Sequence, residues 1–160
     1  MNKTHKYDLT VKWTGNKGSG TSSYRAYDRD HSIIKEGKAD IAGSSDPAFR
    51  GDSTRHNPEE LLVASVSSCH MLWFLHLCSQ AGVLVTDYED HPVGHMEETR
   101  EGGGRFTEIV LHPRVTVSEE SMTGKLDALH HRAGELCFIA NSCNFPIRHE
   151  PVCLVKNKQN

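Results

Sequence analysis

The stretch that decides the fold runs from Asn57 to Cys78 and reads NPEELLVASVSSCHMLWFLHLC. Asn57 is a favoured helix N-cap, Pro58 suits the first helical position, and Glu60 stands three residues after the cap. The helix is expected to run to Gln80-Ala81-Gly82, where the glycine can end it. Its middle is apolar nearly all round, so protein is expected on both sides. Two residues are odd for a plain core helix: Glu59 at its start and Cys69 at its centre. At about 100° per residue, Leu62, Val66, Cys69, Trp73 and His76 fall on one side and Cys78 on the opposite one.

Upstream, Tyr7, Leu9, Val11 and Trp13 alternate with polar residues, the pattern of a strand. TGNKGSGT (14–21) reads as a turn. SSYRAY (22–27) and HSIIKEGKADI (31–41) read as further strands, the latter a hairpin about EGK. Residues 43–56, GSSDPAFRGDSTRH, form a long polar loop of the kind that usually has a purpose. Downstream, VLVTDYED (83–90) and HPVGHMEE (91–98) read as strands around the turn REGGGRF (100–106). RFTEIVLHPRVTV (105–117) reads as one long strand with Pro113 inside it, hence an edge or a bulge. Ser118 is a possible cap for a first turn that Gly124 interrupts, and a second main helix is expected from about Lys125 to Ala140. EPVCLVK (150–156) closes the chain as a strand. Helices that do not alternate regularly with strands argue against parallel βαβ units. The expected class is α+β, a mainly antiparallel sheet wrapped around central helices, with 1–160 as one domain.

Charge and cysteine content narrow the function. The net charge is −3, from 18 basic and 21 acidic residues, with no block of one sign, so neither nucleic acid nor a membrane surface is an expected partner. The N-terminal residues lack an apolar signal-peptide core, and no run of about 18 consecutive apolar residues exists. A cytoplasmic location is the expectation. Five cysteines do not form an even framework of the secreted type. No C-x2-C pair, second His pair or H-E-x-x-H occurs, so no metal is expected. TGNKGSGT lacks the order of a phosphate-binding loop, and no serine nucleophile elbow occurs. On pattern alone, buried cysteines read most often as small hydrophobes. Cys78, Cys143 and Cys153 are read that way, Cys143 least firmly.

Taken together, NPEELL leading to Cys69, LHHRAGELCFIANS around Cys137, WTG and GSGT near the start, and FRGD before NPEE resemble the OsmC/Ohr family over nearly the whole chain. The resemblance implies reduction of organic hydroperoxides, and less well of hydrogen peroxide, by two thiols. Cys69 would be the peroxidatic thiol and become a sulfenic acid. Cys137 would resolve it as a disulfide, and an external thiol, a dihydrolipoyl group in some members, would restore both. It implies no bound cofactor and an intertwined homodimer with active sites at the subunit interface. Glu59 would hold an arginine that stabilises the thiolate. Arg50 is the favoured arginine, with Arg55 and Lys17 as alternatives; lysine lacks the planar fork. Met71, Trp73, Phe74 and Phe49 are candidate walls of an apolar pocket. The alternative function is a non-enzymatic thiol or apolar small-molecule binding protein on the same fold.

Overall fold

A computed structural model describes residues 3–156. They form two compact units, residues up to 61 and residues from 62 on.

In the first unit, β1 (Thr10–Trp13), β2 (His31–Ile34) and β3 (Ile41–Gly43) make an antiparallel sheet in that order. The hairpin about residues 36–38 is as expected. The strand expected at 22–27 is instead a series of turns. Arg29 is the physical reason. Its guanidinium donates to the carbonyls of Tyr27 (2.6 Å) and Tyr24 (2.8 Å) and lies 4.2 Å from both tyrosine ring centroids. These local bonds and cation–π contacts favour a coiled backbone over a ladder.

The helix α1 (Pro58–Gln80) follows the sequence signals closely. Glu60 N–H donates to Asn57 Oδ1 (2.8 Å), and Asn57 N–H donates back to Glu60 Oε2 (3.3 Å), a closed capping box. At the other end Gly82 has φ +70°, and Val83 N–H reaches the Cys78 carbonyl at 2.9 Å, a Schellman stop. By length and composition α1 could cross a bilayer, although serines and histidines interrupt its apolar run. Only Val66, His70, Phe74 and Cys78 are buried, an i, i+4 strip. Protein therefore covers one face of α1 and not both; Leu72 remains 64% exposed.

In the second unit, β4 (Val85–Asp90), β5 (Val93–Glu98), β6 (Gly104–Leu111), β7 (Pro113–Val117), β8 (Ile147–His149) and β9 (Val152–Val155) make two mixed sheets, ordered β4-β7-β9 and β5-β6-β8. The β4–β7 and β5–β6 pairs are antiparallel; the β7–β9 and β6–β8 pairs are parallel. The stretch expected as one strand over 105–117 is two central strands in different sheets. The break is at His112, whose N–H donates to Asp90 Oδ1 (2.7 Å). Pro113 is thus the first residue of a central strand, where its missing N–H costs no ladder bond. Phe74 and Cys78 pack with Val115, Val117 and Ala133, while Val66 packs with Ile109 and Leu111. Gly94 lets β5 approach α1 closely: a Cβ there would lie 2.7 Å from Val63 and from Phe106.

The second helix is shorter than expected. A 3-10 segment (Glu120–Lys125) leads into α2 (Leu126–Leu136), and Cys137 has left the helix, with ψ 109°. Ser118 makes no cap; its hydroxyl faces Met122 Sδ at 3.5 Å. The exit at Cys137 is held by substitute bonds. Asn141 Nδ2 donates to the Glu135 carbonyl (2.9 Å), and Asn141 N–H donates to the Cys137 carbonyl (3.0 Å). The side-chain amide satisfies a carbonyl that the helix end leaves open.

Candidate functional site

The two cysteines singled out from the sequence meet. Cys69, at the midpoint of α1, and Cys137, just past α2, have neighbouring thiols that act on one another. Cys137 is buried, 1% exposed, and Cys69 is partly exposed. Burial above all, and then the bond with Cys69, push the Cys137 thiol up to about 11. A weaker opposing bond comes from Ala140 N–H, 3.4 Å from Cys137 Sγ. Leaving the helix at Leu136 matters here: the extended residue carries its thiol off the α2 surface and the next turn folds back over it.

Cys69 opens onto a groove of about 530 Å³ whose walls include Leu72, Trp73, His76, Phe138 and Ile139. Trp73 and Phe138 meet edge to face at 5.6 Å. Phe138, directly after Cys137, is 68% exposed. Such a wall suits an apolar ligand with one polar end at the thiol. Of the wall residues expected, Trp73 lines the groove, whereas Phe74 is core. Phe49, in the first unit, is 40% exposed.

The other thiols are separate. Cys78 is core, and burial raises it to about 11. Cys143 packs against the cluster of Val66, Ile109 and Leu111, and its Sγ faces the Ile139 carbonyl at 3.3 Å. Cys153 is exposed on β9.

In the first unit, Arg50 closes the turn Pro47–Phe49 in a left-handed conformation, φ 65°. The turn is rigidly built: Ala48 N–H donates to Asp46 Oδ1 (2.7 Å), and a Cβ on Gly51 would strike the Ser45 carbonyl. A non-glycine residue at positive φ stores strain, and such sites cluster where function fixes the backbone. The alternatives are occupied. Arg55 lies 3.3 Å from Asp30 and 3.5 Å from Asp52, and Lys17 lies 2.6 Å from Asp28. Within residues 3–61 Arg50 has no carboxylate partner; its guanidinium lies 5.9 Å from the Tyr24 ring. Glu59 is half-buried in the first turn of α1, where a carboxylate is favoured by the helix dipole.

Sequence reasoning missed a cluster of histidines beside the thiols. His70 Nε2 and His130 Nδ1 are 3.0 Å apart, and both residues are buried. His130 stacks on Phe74 at 3.8 Å, and the His149 ring is 5.5 Å from that of His70. Burial, with the neighbouring imidazoles, depresses His70 to about 4 and His130 to about 3. The legible signal was the i, i+4 row Val66-His70-Phe74-Cys78. No metal-competent group of three or more ligands occurs among the described residues.

With this geometry, the comparisons are specific. The model of the family described as OsmC-like protein matches residues 51–151. An OsmC-like protein of unknown function from Vibrio cholerae is 32% identical over 93% of this chain and all of its own, with a TM-score of 0.83. The chain belongs to the OsmC-like protein family. At the level of fold it is also similar to an organic hydroperoxide resistance protein OsmC from Legionella pneumophila (17% identity, 94% and 99% of the two chains, TM-score 0.66). An organic hydroperoxide resistance protein from Elizabethkingia anophelis is comparable (15%, 96% and 100%, 0.66). No curated protein matches the chain.

Proposed function

We propose that the protein is a two-cysteine peroxidase of organic hydroperoxides. The observation that carries this reading is the Cys69–Cys137 thiol contact at the edge of an apolar groove. The Cys69 thiolate attacks the terminal peroxide oxygen. The O–O bond breaks, the alcohol leaves with a proton, and Cys69 becomes a sulfenic acid. Cys137 then attacks the Cys69 sulfur, the S–O bond breaks, water leaves, and a disulfide remains. The groove takes the organic part of the peroxide, which favours organic hydroperoxides over hydrogen peroxide. Arg50, with Glu59 to orient it, is assigned to stabilise the thiolate; the absence of a competing ion pair at Arg50 within residues 3–61 and its strained backbone support that choice over Arg55 and Lys17. No bound cofactor is needed. An external thiol such as a dihydrolipoyl group completes the cycle in the cytoplasm, where the cysteines stay reduced.

We assign a homodimer to the exposed apolar surface left on α1 and at Phe138. Contiguous exposed apolar area marks interaction sites, and a second copy would cover it and close the groove.

The test is intact mass and peptide mapping after one equivalent of cumene hydroperoxide on reduced protein. A Cys69–Cys137 disulfide within seconds is expected. Untouched thiols would leave the second reading, a binding protein for apolar small molecules, which the groove also favours.

A further inference from the structure

Each thiol of the pair faces its own cavity. Cys69 lines the apolar groove; Cys137 lines a second cavity of about 170 Å³ with His70, Gly134, Glu135 and His149. The two linings have no residue in common. The second cavity has the volume of about six waters. Its wall reaches the surface of α2 at the exposed residues His131 and Glu135, whose side chains pair at 3.2 Å.

Thiol–disulfide exchange proceeds by attack of a thiolate on one sulfur, and expels the other. The three sulfurs lie nearly in line. Attack on Cys137 with Cys69 leaving therefore needs open volume at Cys137, and the second cavity, which Cys137 lines and Cys69 does not, offers such volume. Attack on Cys69 would have to expel Cys137. Burial disfavours the Cys137 thiolate, so its departure is the slower exchange whichever sulfur is attacked first, and the cavity favours Cys137 as the first target.

We propose that this cavity is a reductant port: a small, slender thiol enters beside His131 and Glu135 and attacks Cys137 Sγ, while the hydroperoxide uses the groove at Cys69. The inference rests on the two-thiol reading above. The incoming thiol leaves its proton in solvent and attacks as RS⁻. A Cys137–S–S–R bond forms, the Cys69–Cys137 bond breaks, and Cys69 departs as thiolate. A second RS⁻ attacks the R sulfur, releasing RSSR and the Cys137 thiolate, which takes up a proton. Two thiols are oxidised and one protein disulfide is reduced. The slender shape follows from the volume; a branched or bulky thiol has no room at Cys137.

The port is tested apart from any peroxide chemistry by forming the Cys69–Cys137 disulfide with diamide in the full chain. Limiting 2-mercaptoethanol is then added, the reaction is quenched by alkylation, and peptides are mapped. The expected adduct is on Cys137, with Cys69 alkylated. Gly134→Leu blocks the cavity and is sterically open, since a Cβ at Gly134 meets only His149 Cε1, at 4.0 Å. It should slow re-reduction at least tenfold relative to wild type and Gly134→Ala, while disulfide formation by cumene hydroperoxide is unchanged. A mercaptoethanol adduct on Cys69, an unchanged rate in a folded Gly134→Leu variant, or a diamide product without the Cys69–Cys137 bond overturns the port. Failure of the reduced protein to consume hydroperoxide would overturn the peroxidase reading alone, because the adduct map does not depend on it.

Discussion

His70 on α1 and His130 on α2 share one hydrogen bond, at 3.0 Å. His70 is the chain neighbour of Cys69, and His130 stands two helical turns before Cys137. The bond thus ties together the two segments that carry the thiols. It forms only while one imidazole nitrogen of the pair keeps its lone pair. His130 Nε2 has no hydrogen-bond partner among the described residues, so a proton on it would be buried without an acceptor. The nearby charges are few: the Asp90 carboxylate favours a protonated His70, whereas His149 opposes one.

The pH dependence of stability follows. Both histidines have folded-state values depressed below the unfolded value of about 6.5. The unfolded chain therefore binds more protons between that value and the depressed ones. The contribution is complete above about pH 6.5 and is lost as pH falls, by about 1.4 kcal/mol per pH unit for each group that titrates. Urea unfolding at pH 7, 5.5 and 4.5 should show this fall, and His130→Phe should flatten it. The same variant leaves His70 Nε2 unpaired and should cost about 1–3 kcal/mol at pH 7. An equal pH slope in both proteins would remove the cluster as its source.

The thiols are expected to separate by role. Cys69→Ser should consume cumene hydroperoxide no faster than background. Cys137→Ser should complete one turnover and stall with Cys69 as sulfenic acid, detectable by dimedone labelling. Cys143→Ser should cycle like wild type, because Cys143 packs against the cluster of Val66, Ile109 and Leu111 and its thiol faces a carbonyl. Sustained turnover in Cys137→Ser would instead make another thiol the resolving one.

Much of this was legible in the sequence because it is local. Asn57, Glu60 and Gly82 specify both ends of α1 through bonds within a few residues, and those bonds form as expected. The misses are where a residue outside the segment decides. Arg29 coils residues 22–27 through the two tyrosines. Asp90, from β4, fixes the break at His112. Asn141 ends α2 from beyond it, so Cys137 lies outside the helix that periodicity assigned to it. Of the histidine cluster only His70, in the i, i+4 row of α1, was legible, since His70, His130 and His149 come from three elements. Cys69 and Cys137 were legible only jointly, through their flanking motifs, because each alone looks like a small core residue.

Arg50 offers a prediction in which activity and stability move in opposite directions. Its φ of 65° costs a non-glycine residue about 1 kcal/mol. Arg50→Gly should therefore keep or raise the unfolding midpoint. It should also slow sulfenic acid formation by about 10²-fold, the scale of losing one preorganised charge-stabilising group. Arg50→Lys should recover only part of the rate, since an ammonium lacks the fork. Wild-type rates in Arg50→Gly would transfer the role to another cation.

The groove makes substrate selectivity the sharpest test of its purpose. Leu72 is 64% exposed on a groove that Trp73 and Phe138 also line, a poor use of a leucine unless a ligand or a second copy covers it. Burying such a side chain against an apolar ligand contributes about 1.5–3 kcal/mol. Leu72→Ser should then lower kcat/KM for cumene hydroperoxide by tenfold or more. With hydrogen peroxide, which has no organic part to bury, the change should be under about twofold, because the chemistry at Cys69 is untouched and that burial term is absent. A parallel loss for both peroxides would mean that Leu72 holds the fold or the dimer. Sedimentation of the same variant separates those two, since a folded monomer points to the dimer and an unfolded chain to the core.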